Sequence, residues 1–162
     1  MTPKTLDQKV VDIILDLIAS EYDASFMYKG MSNWAQGVGF EKASSFYASE
    51  SADELTHSDK LQKYLVDWNV IVEIPEIPAP RVEYGNLVQT IEEAYKAEYS
   101  LYEKYEDMAK KMFSLDLCTF ALLQEMLAIQ LKAVTEYSDK LNMLEGVDAS
   151  KTNLLLLEKK LF

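Results

Sequence analysis

The sequence is poor in cysteine, in positive charge and in long apolar runs. Its 162 residues include one cysteine, Cys118, so no intrachain disulfide is possible and a reducing cytoplasm is the expected location. Lysine and arginine number 16 against 27 acidic residues, and the net charge of −11 argues against nucleic acid as a partner. The first residues are too polar for a signal peptide, and no apolar run approaches the ~20 residues that span a bilayer, so no membrane partner is expected. Cys118 is expected to be a small buried residue.

Glycine and proline are also scarce, with five and four residues, and their positions divide the chain. Gly37 and Gly39, a proline-rich stretch at 75–80, and Gly146 separate segments in which apolar residues recur every three or four positions. This spacing predicts four long helices and a short one, at about 5–36, 41–68, 86–113, 115–145 and 151–160. Thr5 begins a capping-box pattern and is expected to start the first helix.

Four long helices in a chain of this length predict an all-α, single-domain four-helix bundle. A short connection joins the first helix to the second and the third to the fourth, so each pair is expected to form an antiparallel hairpin. The connection at about 69–86 is long enough to run the length of the bundle. This crossover makes the second and third helices parallel.

One polar residue interrupts the apolar stripe of each long helix, namely Glu21, Glu54, Glu98 and Gln130. Glu21 and Glu54 lie 17 and 16 residues from a turn near residue 38, and Glu98 and Gln130 each lie 16 residues from a turn near residue 114. At the rise of an α-helix each distance is about 25 Å, so the four side chains are expected at one level. His57, the only histidine, follows Glu54 by one turn on the same face.

Three carboxylates in a dry core destabilise the fold or acquire raised pKa values unless they are paired. The apolar stripes offer no lysine or arginine, so a bound cation is the predicted partner. Carboxylates with an imidazole suit iron, manganese or zinc. Glu54 is predicted to bridge two metal ions and His57 to bind one of them, as in a Glu-x-x-His half-site. A Glu-x-x-His taken alone is a weak signal and is typical of an exposed helix face.

Several segments together resemble the non-haem ferritins of bacterial type. The segments EYDASFMYKGMSNW (21–34), FYASESADELTHSDKL (46–61), EEAYKAEYSL (92–101) and LAIQL (127–131) are similar to the A, B, C and D helices of ferritins. The apolar segment at 151–160 resembles the short fifth helix of that family. The similarity covers nearly the whole chain.

The resemblance implies a ferritin-like bundle that assembles into a homo-oligomeric cage of 24 subunits. It also implies a diiron centre that oxidises Fe(II), its substrate, with dioxygen or peroxide, and a stored Fe(III) oxide mineral. The implied ligands of the first iron are Glu21, Glu54 and His57, and those of the second are Glu54, Glu98 and Gln130. Tyr28 matches the ferritin tyrosine beside the centre, which is proposed as an electron donor. A buried aromatic residue with a bonded hydroxyl is the alternative role for Tyr28.

The pattern departs from related families at the second metal site. A symmetric diiron protein repeats Glu-x-x-His on the fourth helix, whereas Gln130 and Ala133 occupy those positions here. A neutral amide is a poorer ligand for ferric iron than a carboxylate, so iron is expected to be held loosely and to move on after oxidation. Leu55 replaces the haem-ligating methionine of bacterioferritins, so no haem is expected.

A third iron position, present in some ferritins, is doubtful in this chain. Asp53 keeps the acid on the second helix, but Ile129 and Ala133 replace the acids of the fourth helix. The position is therefore absent or is rebuilt from Asp53 and Glu50, which are additional candidate metal ligands. Glu50 could guide iron inward or be a solvated acid at the bundle edge. Animal ferritins admit iron through acidic pores near the start of the fourth helix. This chain has no acid between residues 116 and 125, so the sequence does not indicate where iron would enter a cage.

Three other functions compete with ferroxidase storage. A structural cage subunit with a slow or inactive centre would not need the full set of predicted ligands. A mini-ferritin that protects DNA would have histidines on its first helix, and this helix has none. A diiron oxygenase or peroxidase would have a more symmetric ligand set.

Overall fold

The computed structural model describes residues 1–162 and contains five α-helices and no β-strand. The helices are α1 (Gln8–Val38), α2 (Glu41–Asp67), α3 (Leu87–Leu115), α4 (Leu117–Leu144) and α5 (Lys151–Leu161). α1 packs along α2, α3 packs along α4, and contacts between α1 and α3 join the two hairpins. The predicted all-α four-helix bundle with a short fifth helix is confirmed.

Both hairpins close through very short turns. α1 ends at Gly39, whose φ of 89° lies in the left-handed region that glycine adopts without a steric penalty. Asp116 alone separates α3 from α4, and its side chain accepts a hydrogen bond from the backbone N–H of Thr119 at 2.7 Å. Connections this short leave only an antiparallel arrangement for each helix pair.

The first helix begins later than the sequence predicted. Its N-cap is Asp7, whose carboxylate accepts a hydrogen bond from the backbone N–H of Lys9 at 2.8 Å. The expectation that Thr5 caps the helix is therefore wrong. A carboxylate at this position also interacts favourably with the positive end of the helix dipole. All other helix ends lie within two residues of the predicted positions.

The long segment between α2 and α3 crosses the bundle along α1. Near its start, the side-chain amide of Asn69 donates to the carbonyl oxygen of Lys4 at 3.3 Å. Near its end, the ring of Tyr84 packs edge-on against Trp34, with 5.6 Å between ring centroids. The segment passes Gly30 so closely that a Cβ there would lie 2.6 Å from a backbone carbonyl oxygen. The long crossover is confirmed, and it requires glycine at position 30.

Two hydrophobic clusters form the core, on either side of a polar layer. The cluster near the α1–α2 turn is rich in aromatic rings, including Tyr28, Trp34, Tyr47 and Tyr137. The other is largely aliphatic, with Ile14, Leu17, Leu61 and Leu123 among its members. The polar residues predicted to lie at one level fall between the two clusters in every long helix.

α5 is attached to the bundle through a buried carboxylate. Glu158, which is 7% exposed, accepts hydrogen bonds from the backbone N–H groups of Lys42 at 2.7 Å and Ala43 at 3.0 Å. These groups belong to the first turn of α2, whose N-cap residue, Phe40, makes no side-chain hydrogen bond to the helix. Glu158 therefore supplies from α5 the cap that α2 lacks.

Replacing Glu158 with alanine is expected to destabilise the metal-free protein by about 1–2 kcal/mol, because two backbone N–H groups lose their acceptor. Thermal unfolding followed by circular dichroism should show a midpoint lower by several degrees. Lys159→Ala on the exposed face of α5 is the matched control and should leave the midpoint nearly unchanged. An equal midpoint for Glu158→Ala and the parent would show that water replaces the carboxylate.

One sequence expectation about α4, the burial of Cys118, is wrong. Cys118 is exposed, and the next residue, Thr119, is the buried one, with its hydroxyl 2.8 Å from that of Tyr64. One residue along a helix turns the side chain by about 100°, which is enough to exchange core for surface.

By length and composition alone, α4 is apolar enough to span a bilayer, with a mean hydropathy of 1.4 in its most apolar stretch. In the bundle it contributes Leu123 and Met126 to the core.

Candidate metal centre

The four polar residues predicted at one level all lie in the interior of the bundle. Glu21, Glu54, Glu98 and Gln130 are each no more than 4% exposed. His57 is partly buried on α2, one turn after Glu54. The arrangement brings acidic and imidazole side chains into the layer between the two hydrophobic clusters.

Two buried serines set the register of α1 against α2 close to these residues. The hydroxyl of Ser25 donates to the carbonyl oxygen of Ser51 at 2.7 Å, and the hydroxyl of Ser51 donates to the carbonyl oxygen of Ser25 at 2.8 Å. Ser25 lies one turn after Glu21, and Ser51 lies three residues before Glu54. The paired bonds therefore keep the two carboxylates opposite each other.

Glu21, Glu54 and His57 form a group in which one ligand atom from each residue lies within 4.8 Å of the others. His57 Nδ1 is 3.0 Å from Glu54 Oε2 and 3.7 Å from Glu21 Oε2. Glu21 Oε2 is buried and has no hydrogen-bond partner. Because an unpaired buried carboxylate oxygen is costly, this atom marks a position where a cation would be stabilised.

Glu98 and Gln130 form a separate pair on the α3–α4 side. The side-chain amide of Gln130 donates to Glu98 Oε2 and, at 3.1 Å, to the backbone carbonyl oxygen of Glu98. The hydroxyl of Tyr28 donates to the other carboxylate oxygen, Oε1. Both oxygens of Glu98 are thus engaged, whereas Glu21 keeps one free. The two halves of the predicted site therefore differ in whether a carboxylate oxygen is left without a hydrogen-bond donor.

Tyr105 is a site residue that the sequence reasoning missed. It is fully buried on α3, and its hydroxyl donates to Glu21 Oε1. A sequence signal existed, because Tyr105 follows Glu98 by seven residues, the same spacing that separates Tyr28 from Glu21. Tyr28 on α1 donates to Glu98 on α3, and Tyr105 on α3 donates to Glu21 on α1.

The metal-free centre favours protonated side chains. Burial, with the nearby Glu21 and Glu98, raises the pKa of Glu54 from 4.5 to about 9, although a hydrogen bond with His57 opposes the shift. Burial alone would lower the pKa of His57, but the neighbouring carboxyl groups of Glu21 and Glu54 outweigh it and raise the pKa to about 10. Burial also raises the pKa of Glu98 against its two hydrogen-bond donors. A cation entering the centre must therefore displace protons.

A cavity of about 240 Å³ lies between α2 and α4 beside the centre. The ionisable residues around it are Glu50, Asp53, Glu54, His57, Lys132 and Glu136. Burial and the charge of Glu136 raise the pKa of Glu50 to about 7, while the hydroxyl of Tyr137 donates to Glu50 at 3.2 Å. Ile129 and Ala133 also line the cavity. Glu136 lies one turn after Ala133 on α4, and the sequence analysis did not identify it as an acid of this region.

A four-helix bundle with carboxylates from several helices and a histidine at one interior level defines the ferritin-like class of metal proteins. A family model described as the ferritin-like domain matches residues 11–147. A probable bacterial non-haem ferritin-like protein of Haemophilus influenzae is 30% identical over 157 residues, which cover 96% of this chain and 95% of the relative. The chain belongs to the ferritin family, a family of iron-storage proteins.

Other relatives agree with this assignment. A bacterial non-haem ferritin of Escherichia coli is 26% identical over 157 residues, again covering 96% of this chain and 95% of the relative. An open-pore ferritin from the archaeon Archaeoglobus fulgidus superposes with a TM-score of 0.90 over 96% of both chains at 20% identity. A humanized archaeal ferritin gives 0.91 over 97% of both chains, also at 20% identity. At this identity the two structures establish the fold alone.

Proposed function

We propose that the protein stores iron and oxidises Fe(II) to Fe(III) at a diiron centre within each subunit. The observation that carries the proposal is the group formed by the buried Glu21 and Glu54 with the partly buried His57, in which Glu21 Oε2 is left without a donor. A cation bound by these three side chains would satisfy that oxygen, and the donor set suits iron. The first Fe(II) is proposed to bind here.

The second Fe(II) is proposed to lie between Glu54 and Glu98, with Gln130 at its edge. The amide of Gln130 already donates to Glu98, so a second ion has to displace this hydrogen bond. The amide oxygen would also be a weaker ligand for ferric iron than a carboxylate. Both effects favour weak retention of the second ion, so iron would act as a substrate that passes through the site.

The proposed reaction is the oxidation of Fe(II) by dioxygen or peroxide. Two Fe(II) ions supply the two electrons that reduce one dioxygen to hydrogen peroxide, and two protons are taken up. Protons displaced from Glu54 and His57 when iron binds are available at the same place. Tyr28, whose hydroxyl contacts Glu98, is the candidate side-chain donor of a further electron, which would be needed only where dioxygen is reduced beyond hydrogen peroxide. Glu50 and Asp53 are proposed to guide iron through the neighbouring cavity.

The Fe(III) product is proposed to accumulate as an oxide mineral inside a cytoplasmic homo-oligomeric cage of 24 subunits. Self-association is supported by large apolar side chains on the subunit surface, including Phe113, Leu115 and Leu117, which are more than 60% exposed. Only 22% of the most apolar window of α4 is buried within the subunit. A net charge of −11 on each chain would attract cations to the assembly. No haem is part of the proposal, because Leu55 offers no ligand atom.

Replacing His57 with alanine is expected to slow Fe(II) oxidation by at least about tenfold, a loss seen even for residues that only support a metal ligand. The test mixes aerobic apoprotein with about two Fe(II) per chain and follows oxygen uptake together with near-ultraviolet absorbance. Asp59→Ala, an exposed change on the same helix, is the control and should oxidise iron at the parent rate.

Equal and slow rates in the parent, His57→Ala and Asp59→Ala proteins would contradict the enzymatic part of the proposal. That result would favour the alternative function, a structural cage subunit with a slow or inactive centre. Fast oxidation by the parent together with slow oxidation by His57→Ala would exclude this structural role.

A further inference from the structure

Tyr105 holds one oxygen of the first predicted metal ligand. Its side chain is 0% exposed, as is that of Glu21, and its hydroxyl donates to Glu21 Oε1. The other oxygen of Glu21, Oε2, lies 3.7 Å from His57 Nδ1 and has no donor. A carboxylate fixed through one oxygen cannot rotate freely about its last bond, so the second oxygen keeps its direction towards the centre.

Tyr28 and Tyr105 make matching hydrogen bonds in different surroundings. Tyr28 lies in the aromatic cluster, where its ring stacks with Tyr47 and Tyr137 at centroid distances of 6.0 and 6.1 Å. Tyr105 lies in the aliphatic cluster and makes no aromatic pair. A phenol packed among aliphatic groups and bonded only to a carboxylate is suited to fixing that carboxylate.

We propose that Tyr105 is a positioning residue for the first iron site. Its hydrogen bond to Oε1 leaves Glu21 to bind the metal through Oε2 alone, beside His57 and Glu54. Tyr28 performs the corresponding task for Glu98 at the second site, so the two tyrosines act on different metal ions. Partners that orient a ligand in this way are typically worth about 10–100-fold in metal affinity. The inference rests on the ligand assignment made under the proposed function.

The test is a Co(II) titration of anaerobic apoprotein, followed by the visible absorption of the bound ion, which reports its ligand geometry. Tyr105→Phe removes only the hydroxyl and is expected to weaken the first Co(II) by about tenfold or more and to change its spectrum. Tyr28→Phe is expected to weaken the second Co(II) and leave the first unchanged. Tyr102→Phe, on the same helix as Tyr105 and bonded to no ligand, should match the parent at both steps.

The outcomes separate this inference from the proposed function. A parent protein that binds no Co(II) at the centre contradicts the proposed function itself. Tight binding by the parent with an unchanged first step in Tyr105→Phe overturns the role of Tyr105 alone. Equal weakening of both steps in Tyr105→Phe also overturns it, since that result indicates a general loss of packing.

A second variant keeps the test decisive if Tyr105→Phe does not fold. Incorporation of 3-fluorotyrosine at position 105 retains the ring and makes the hydroxyl a stronger donor. The first Co(II) step should then differ from the parent in affinity and spectrum, while the second stays the same. Identical titrations of the fluorinated and parent proteins would overturn the inference.

Discussion

Replacing Glu54 with alanine is expected to reduce Fe(II) oxidation to the rate of iron in buffer, a loss of at least about 100-fold. Glu54 is the only residue proposed to contact both metal ions, so its removal affects both sites, whereas His57→Ala affects only the first. The measurement is oxygen uptake with two Fe(II) per chain, together with the number of Co(II) ions bound tightly by each subunit.

Glu103→Ala is the matched control for Glu54→Ala, because it removes the same side chain from the exposed face of α3. It should bind two Co(II) ions and oxidise iron like the parent. The Glu54 variant should remain folded, since removing a buried carboxyl relieves the cost of its burial. A Glu54→Ala protein that keeps more than about a tenth of the parent rate would contradict its bridging role.

The metal-free protein is expected to lose stability as the pH rises from 6 to 9. Folding raises the pKa of Glu54 from 4.5 to about 9, so the folded state holds a proton that the unfolded chain releases. This stabilisation is complete below the unfolded pKa and is lost as the pH rises through the folded pKa. The pKa of His57, which folding raises from 6.5 to about 10, changes stability in the same direction. Because Glu54 and His57 share a hydrogen bond they titrate as a pair, and a proton that only the folded pair holds contributes a slope of up to about 1.4 kcal/mol per pH unit.

Thermal unfolding with a chelator present, at pH 6, 7, 8 and 9, tests this dependence. Glu54→Gln is the control, because its amide has no proton to lose over this range and the slope should become shallower. Adding Zn(II) should restore stability most strongly at the highest pH, since the metal then competes with fewer protons. A midpoint that rises between pH 6 and 9 in the metal-free parent would contradict the assignment of these protons.

The helices and the polar layer were predictable because both follow from spacing along the chain. Apolar residues at intervals of three and four placed the helices, and counting residues from the turns placed Glu21, Glu54, Glu98 and Gln130 at one level. The start of α1 was missed because Thr5 and Asp7 are both good caps, and only the folded chain selects between them. Tyr105 was predictable in principle from its spacing to Glu98.

Other features depend on contacts that spacing does not contain. Whether the amide of Gln130 faces Glu98 is decided by side-chain rotation and by the positions of both helices. The exposure of Cys118 depends on which side of α4 meets the bundle. Glu136 reaches the cavity beside the centre from a part of α4 that the ligand pattern does not include.

The cap that Glu158 provides to α2 has a consequence for the order in which the chain folds. Glu158 is separated from its partner Lys42 by 116 residues, so the first turn of α2 cannot be completed when the α1–α2 hairpin leaves the ribosome. That hairpin carries Glu21, Glu54 and His57, and its local contacts can form early. The last hydrogen bonds at its turn form only when α5 docks. Docking of α5 is thus a late folding event that completes the helix holding two of the predicted metal ligands.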